Sequence, residues 1–193
     1  RQVSKESKKT WFPFNKGGPF RRWFGNQNLV VNWRGDGEEL SEFSKADGKG
    51  TRIQNTTFYF RPGITWNQTG SAIPSFRLVP RGFIFAHIGA MAFAVSESDV
   101  GFLTCLLNSC VSRKLLQVIS PTMGLEVGHI SSFPVRRTEL SVSSADRLVQ
   151  LSSDDWNAFE RAWDFKSFPC LPDSSRPSSS LESGYNGWIT QNR

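Results

Sequence analysis

The pattern of hydrophobic and polar positions in this 193-residue chain changes period near Ser96. Before that point, short aromatic and β-branched runs are cut by Gly and Pro, the signature of a β-rich region. Leu29 to Trp33, Thr57 to Phe60, Ile64 to Trp66, Phe76 to Val79, Phe83 to Phe85 and Ala90 to Val95 predict strands. Trp11 to Trp23 is aromatic, basic and rich in Gly and Pro, which predicts a structured loop. Gly35 to Gly50 reads as an acidic loop or short helix. After Ser96, the residues Val100, Leu103, Leu107, Val111, Leu115 and Val118 recur every three or four positions. That spacing predicts one helix from about Ser98 to Val118, capped by Ser98 or Ser96. Leu106 and Leu116 widen its apolar face, so it should be largely buried. Val127 to Val135 reads as a strand-like segment closed by Phe133-Pro134-Val135. A further helix is predicted at Ser153 to Trp163, with Asp154 and Asp155 at its positive N-terminus, and another from Tyr185 to Ile189.

These elements give an α+β fold: a β-rich domain with a buried helix, then the start of a helical C-terminal region. Phe58, Phe60, Phe83, Phe85, Leu103 and Leu107 are assigned to the core. Residues 1–10 form a leading segment, 11–137 the main domain and 138–168 a helical connector. Residues 169–193 hold a Ser-rich linker, read as mobile over Asp173 to Ser183, and a truncated C-terminal segment. Because the chain starts at Arg1, it is expected to be a piece of a longer protein.

Composition sharpens this picture in two places. The 16 Phe and 7 Trp supply bulky core material to a chain that is only 38% hydrophobic. The three cysteines, Cys105, Cys110 and Cys170, have no paired spacing; Cys105 and Cys110 read as small core residues and not as a disulfide framework. The longest apolar run, Phe83 to Val95, is too short for a membrane span, and no secretory signal is visible, so a cytoplasmic protein is expected. The two Asn-x-Thr sequons, at Asn55 and Asn67, are then coincidental.

The net charge is +6 and is unevenly spread. Residues 1–34 carry Arg1, Lys5, Lys8, Lys9, Lys16, Arg21, Arg22 and Arg34 against Glu6 alone, whereas residues 35–50 are mainly acidic. Clustered Lys and Arg favour a polyanion, because they neutralise phosphates and release counterions. A solvated surface is the bland alternative.

Catalytic signatures are missing from the sequence. His87 and His129 have no His or Cys neighbour at metal-ligand spacing. There is no P-loop and no Gly-x-Gly-x-x-Gly. The Asn-Pro-Pro-Tyr motif, with which amino-methyltransferases hold a flipped adenine, does not occur. The chain alone is therefore expected not to be an enzyme and to bind no cofactor.

Two sets of residues carry a family resemblance. Leu106 to Ser109, Ile119 to Thr122 and Val127 to Val135 resemble the target-recognition domains of DNA adenine methyltransferases and restriction specificity subunits. Trp11 to Gly18, Phe20 to Asn26, Val30 to Trp33, Asn55 to Phe60, Gly63 to Trp66, Gly82 to Phe85, Asp154 to Glu160 and Trp163 to Phe165 look like the segment after the catalytic domain in PglX-type methyltransferases of BREX phage-defence systems. The related type IIG restriction-methylases share parts of the pattern. The family pattern often has Asp where this chain has Ala86 and His129, which leaves those two positions without an assigned role.

The resemblance implies a parent protein that is an adenine-specific DNA methyltransferase using S-adenosylmethionine, in phage defence or restriction-modification. It implies that this chain is the double-stranded DNA recognition module, facing the catalytic domain of the same parent. For phosphates, Lys16, Arg21 and Arg22 are the candidates, since Gly17 and Gly18 let the backbone approach closely; a contact with the catalytic domain is the alternative. For bases, the candidates are Trp66, Asn67, Gln68, Thr69, Arg77 and Arg81, because Asn and Gln pair bidentately with adenine and Arg with guanine. A solvated β-turn with Trp66 in the core is the alternative there. Two other classes remain open: a protein-interaction module docking onto other defence-system proteins, and RNA binding through exposed aromatics.

Overall fold

The computed structural model describes residues 7–47, 53–69, 73–121, 124–136, 142–171 and 180–191. The architecture is α+β, with two three-stranded sheets and one α-helix formed before Ser96 and the other described α-helices after it. The first sheet has the order β2-β1-β5, from β1 (Trp11–Asn15), β2 (Leu29–Asn32) and β5 (Ile84–Phe85). β1 pairs antiparallel with β2, Phe12 opposite Val31, and parallel with β5, Phe14 opposite Ile84. The second sheet has the order β4-β3-β6, from β3 (Gly63–Trp66), β4 (Phe76–Val79) and β6 (Met91–Ala92), all antiparallel. A buried polar relay joins the two sheets. Asn15 Nδ2 donates to Thr65 Oγ1 at 2.9 Å and to the Gly89 carbonyl at 2.8 Å, and Thr65 Oγ1 donates to the Ala90 carbonyl.

The main core lies between the second sheet and the helices, where Ile64, Trp66, Phe76, Val100, Leu107, Leu116, Leu125 and Phe133 pack together. Burying a side chain of this size stabilises by roughly 1.5–3 kcal/mol. A second cluster of Phe12, Trp33, Tyr59 and Ile84 lies under the first sheet. The acidic segment folds as α1 (Arg34–Asp47), entered through left-handed backbone at Gly35, Asp36 and Gly37.

Several sequence expectations need correction. The helix predicted over Ser98 to Val118 is two helices, α2 (Asp99–Asn108) and α3 (Cys110–Ile119), bent by 72° at Ser109. Ser109 is extended, and its hydroxyl accepts from the Ser112 N–H at 3.1 Å, so it caps α3. The bend rotates the apolar stripe out of register: Leu107 and Leu116 are buried, but Val111 and Val118 are 61% and 80% exposed. Ser98 makes no capping bond; its hydroxyl pairs with that of Ser96. Val127 to Val135 is not strand-like. Val127–Ser131 is a short helix, α4, closed by a reciprocal cap in which His129 Nδ1 accepts from the Glu126 N–H.

The helix predicted from Ser153 is α5 (Val142–Asn157), so Asp154 and Asp155 sit in its last turn and not at its positive end. Trp11 to Asn15 is strand β1 where a loop was expected, and Thr56–Phe58 is a 3-10 turn where a strand was expected. Phe58 lies at the surface against Phe93 and Arg61, outside the core. Phe83 is buried, while Phe60, Phe85 and Leu103 are half-buried against the clusters. Cys110 is exposed and Cys105 half-buried, and both are free thiols. The C-terminal helix, α6 (Leu181–Gln191), starts four residues earlier than read; most of the Ser-rich linker, up to residue 179, lies outside the described residues.

Candidate nucleic-acid interface

The candidate residues fall in two neighbouring places, and β4 connects them. Residues Arg21 to Trp23 run alongside β4. Trp23 donates its N–H to the Phe76 carbonyl at 2.9 Å, and Leu78 donates back to the Trp23 carbonyl at 2.8 Å. Trp23 holds a left-handed backbone to do this, at φ 70°. A bulky residue adopts that conformation at a cost of about 1–3 kcal/mol, so the surrounding contacts fix the loop.

Arg77, in the middle of β4, is 0% exposed. Its Nη1 donates to Asn67 Oδ1 at 2.6 Å and to the Arg21 carbonyl at 3.1 Å. The sequence reading had Arg77 projecting into a groove; β4 is covered on both faces, so it does not. Its Nε and Nη2 have no hydrogen-bond partner among the described residues, and the same holds for Gln68 Nε2, Ser75 Oγ and Arg22 Nε. Burial, with a smaller contribution from the Arg21 charge, pushes the Arg77 guanidinium down to about 10. The chain thus buries a cation there and uses it to orient the Asn67 amide.

The other base candidates separate in the same way. Trp66 is 1% exposed and donates its indole N–H to the Leu125 carbonyl at 2.7 Å, a core role. Gln68 is buried, and its carbonyl accepts from Leu125 N–H. Asn67 is half-buried, and Thr69, which bridges to Gly124, is exposed. Arg81 lies apart on the turn after β4, exposed and paired with Glu97.

Among the phosphate candidates, Arg21 is committed internally. It donates to the Phe24 carbonyl, the Ser152 carbonyl and Asp155, and lies over the Trp156 ring. Ser152 Oγ returns a bond to the Arg22 carbonyl at 2.9 Å. This side of α5 is therefore bound to the loop after β1. Arg22 is half-buried beside Phe20. Lys16 is exposed. Arg161, which the sequence reading missed, is exposed over Trp156. The available signal was its position five residues after Trp156 in an otherwise mixed-charge stretch, which is weak.

Among the described residues, no group of three or more His, Cys, Asp or Glu side chains is arranged to hold a metal ion. Gly17 and Gly18 follow strand β1, and the next element among the described residues is strand β2, not a helix. No single helix among the described residues is long and apolar enough to cross a membrane.

No protein-family model matches the chain. It is 39% identical over 166 residues, 83% of its length, to the adenine-specific methyltransferase PglX of Lacticaseibacillus casei strain Zhang. It is 32% identical over 159 residues, 80% of its length, to the adenine-specific methyltransferase BrxX of Escherichia coli O9:H4 strain HS. The chain is homologous to a segment of PglX-type methyltransferases. It spans only 14% and 12% of the lengths of these two relatives. The PglX-type segment thus holds the Arg77–Asn67 contact and the exposed Lys16 and Arg161 on one α+β framework.

Proposed function

We propose that this chain is the double-stranded DNA recognition part of a longer adenine-specific methyltransferase. The methyl transfer itself, from S-adenosylmethionine, is assigned to the remainder of that protein. The observation that carries the reading is the Arg77–Asn67 contact. A wholly buried guanidinium fixes one side-chain amide at the end of β3, next to exposed Thr69. An amide held in one orientation is what a base edge requires, since the order of donor and acceptor distinguishes bases. In this reading Asn67 and Thr69 face bases, with Arg81 available once its exposed pair with Glu97 opens, at a cost of about 1 kcal/mol or less. Exposed Lys16 and half-buried Arg22 face phosphates. Arg21, Arg77 and Trp66 are internal supports.

The test is Asn67→Ala in the full-length protein, with binding measured on a panel of single-base variants of its site. Discrimination should relax at one base pair, by about 1–3 kcal/mol. A uniform loss across all variants would remove Asn67 from base reading.

One observation favours a second reading, a protein-docking module: Val111, Leu115 and Val118 form an exposed apolar stripe along α3. Val118→Asp would then break association with a protein partner and leave DNA affinity unchanged.

A further inference from the structure

A concavity of about 250 Å³ lies where the loop after β1 meets the end of α5. Lys16, Gly17, Gly18, Asn28, Trp156 and Arg161 are among its lining residues, and no lining residue is acidic. Its shape depends on close backbone approach. Gly18 has φ 129°, and a Cβ there would fall 2.8 Å from the Asn26 amide; Gly25 has φ 121°, and a Cβ there would strike Arg21 and come within 3.0 Å of Trp156.

The two arginines over Trp156 differ. Arg21 lies 5.1 Å from the ring centroid, and its charge is met by Asp155 at 2.5 Å. Arg161 lies 4.8 Å from the same ring and 6.0 Å from Phe159, with no carboxylate in ion-pair range among the described residues. A guanidinium held over an indole face by cation–π attraction still has N–H donors to offer a ligand. A guanidinium and an ammonium lining one acid-free concavity suit an anion, and a guanidinium fork suits phosphate bidentately.

We propose that Arg161 and Lys16 clamp a backbone phosphate of duplex DNA in this pocket, with Trp156 as the platform that orients Arg161. The proposal rests on the DNA-recognition reading above, and it adds a contact from the helical connector to a surface otherwise made by the β-rich part. Asp155 takes part indirectly: by neutralising Arg21, it leaves Arg161 as the cation on Trp156 that is open to a ligand.

The experiment uses the full-length methyltransferase and its Lys16→Ala, Arg161→Ala and Arg161→Lys variants. Binding to a cognate and a scrambled duplex is followed over a range of salt concentrations. Each alanine variant should lower the salt slope by about one unit, equally on both duplexes. Arg161→Lys, which keeps the charge and loses the fork, should retain the slope and bind more weakly. Lys16 is on the surface, so its variant reports even if Arg161→Ala unfolds. Slopes unchanged in both alanine variants overturn the proposal, as does a loss confined to the cognate duplex. Melting of the wild type in sodium phosphate and sodium chloride at matched ionic strength separates the sources of phosphate. Equal melting with lowered slopes supports the duplex backbone. Stabilisation by phosphate alone, lost in Arg161→Ala with duplex slopes unmoved, assigns a free phosphate group and overturns the duplex assignment. Failure of the wild type to bind any duplex would instead sink the recognition reading itself.

Discussion

Arg21 and Asp155 form an ion pair 2.5 Å apart across 134 positions of sequence, joining the loop after β1 to the last turn of α5. The same guanidinium also donates to the Phe24 and Ser152 carbonyls. The pair is partly exposed, so its worth comes from this combined geometry more than from Coulomb attraction alone. Arg21→Ala and Asp155→Ala should each lower stability by about 1–2 kcal/mol. The double variant should lose less than the sum, with a coupling of about 0.5–1 kcal/mol. Urea unfolding of the four proteins checks this. Strict additivity would mean that the two side chains do not act together.

The bend at Ser109 sets a contrast between two residues that the sequence pattern treats alike. Leu107 is buried in the main core, whereas Val118 is 80% exposed. Leu107→Ala should cost about 2–5 kcal/mol, because it removes apolar contact and leaves a cavity. Val118→Ser should change stability by less than about 0.5 kcal/mol. Denaturant midpoints of the two variants decide the matter.

Those two residues also show how far the sequence was legible. β2, β3, β4 and β5 were readable because their β-branched and aromatic runs are bounded by Gly and Pro. The break between α2 and α3 was hidden because the three- and four-residue spacing continues through it. The competing signal was local: Asn108 turns away to bond Phe76 on β4, and Ser109 caps the next helix. α4 was misread because its helical turn is closed by Glu126 and His129 and not by an apolar repeat. β1 was read as a loop because Pro13 and the neighbouring aromatics masked its alternation; β1 tolerates Pro13 because its parallel pairing with β5 begins only at Phe14. At the candidate site, the exposure of Lys16 was visible in residue type. The burial of Arg77 was not, since alternation in a short strand does not reveal that Trp23, 54 positions earlier, is laid along its edge.

Stability at alkaline pH should depend on Tyr59. Its phenol is raised above the ordinary value of 10.0, first by burial and then by the Asp36 carboxylate. The unfolded chain releases this proton near pH 10, while the folded chain holds it, so the folded state binds more protons above that pH. The stabilising contribution is therefore intact below pH 10 and is lost as pH rises from there through the folded value. Tyr59→Phe should flatten the decline in unfolding free energy above pH 10 relative to wild type. Parallel declines in the two proteins would place the alkaline loss elsewhere.

The central claim is that this segment selects the DNA sequence while the rest of the protein performs the transfer. The most direct measurement exchanges residues 11–168 for the matching segment of a related methyltransferase of different specificity, then maps methylated adenines across a genome. The account predicts that the modified sequence follows the exchanged segment. A chimera that remains active and still modifies the original sequence would contradict it.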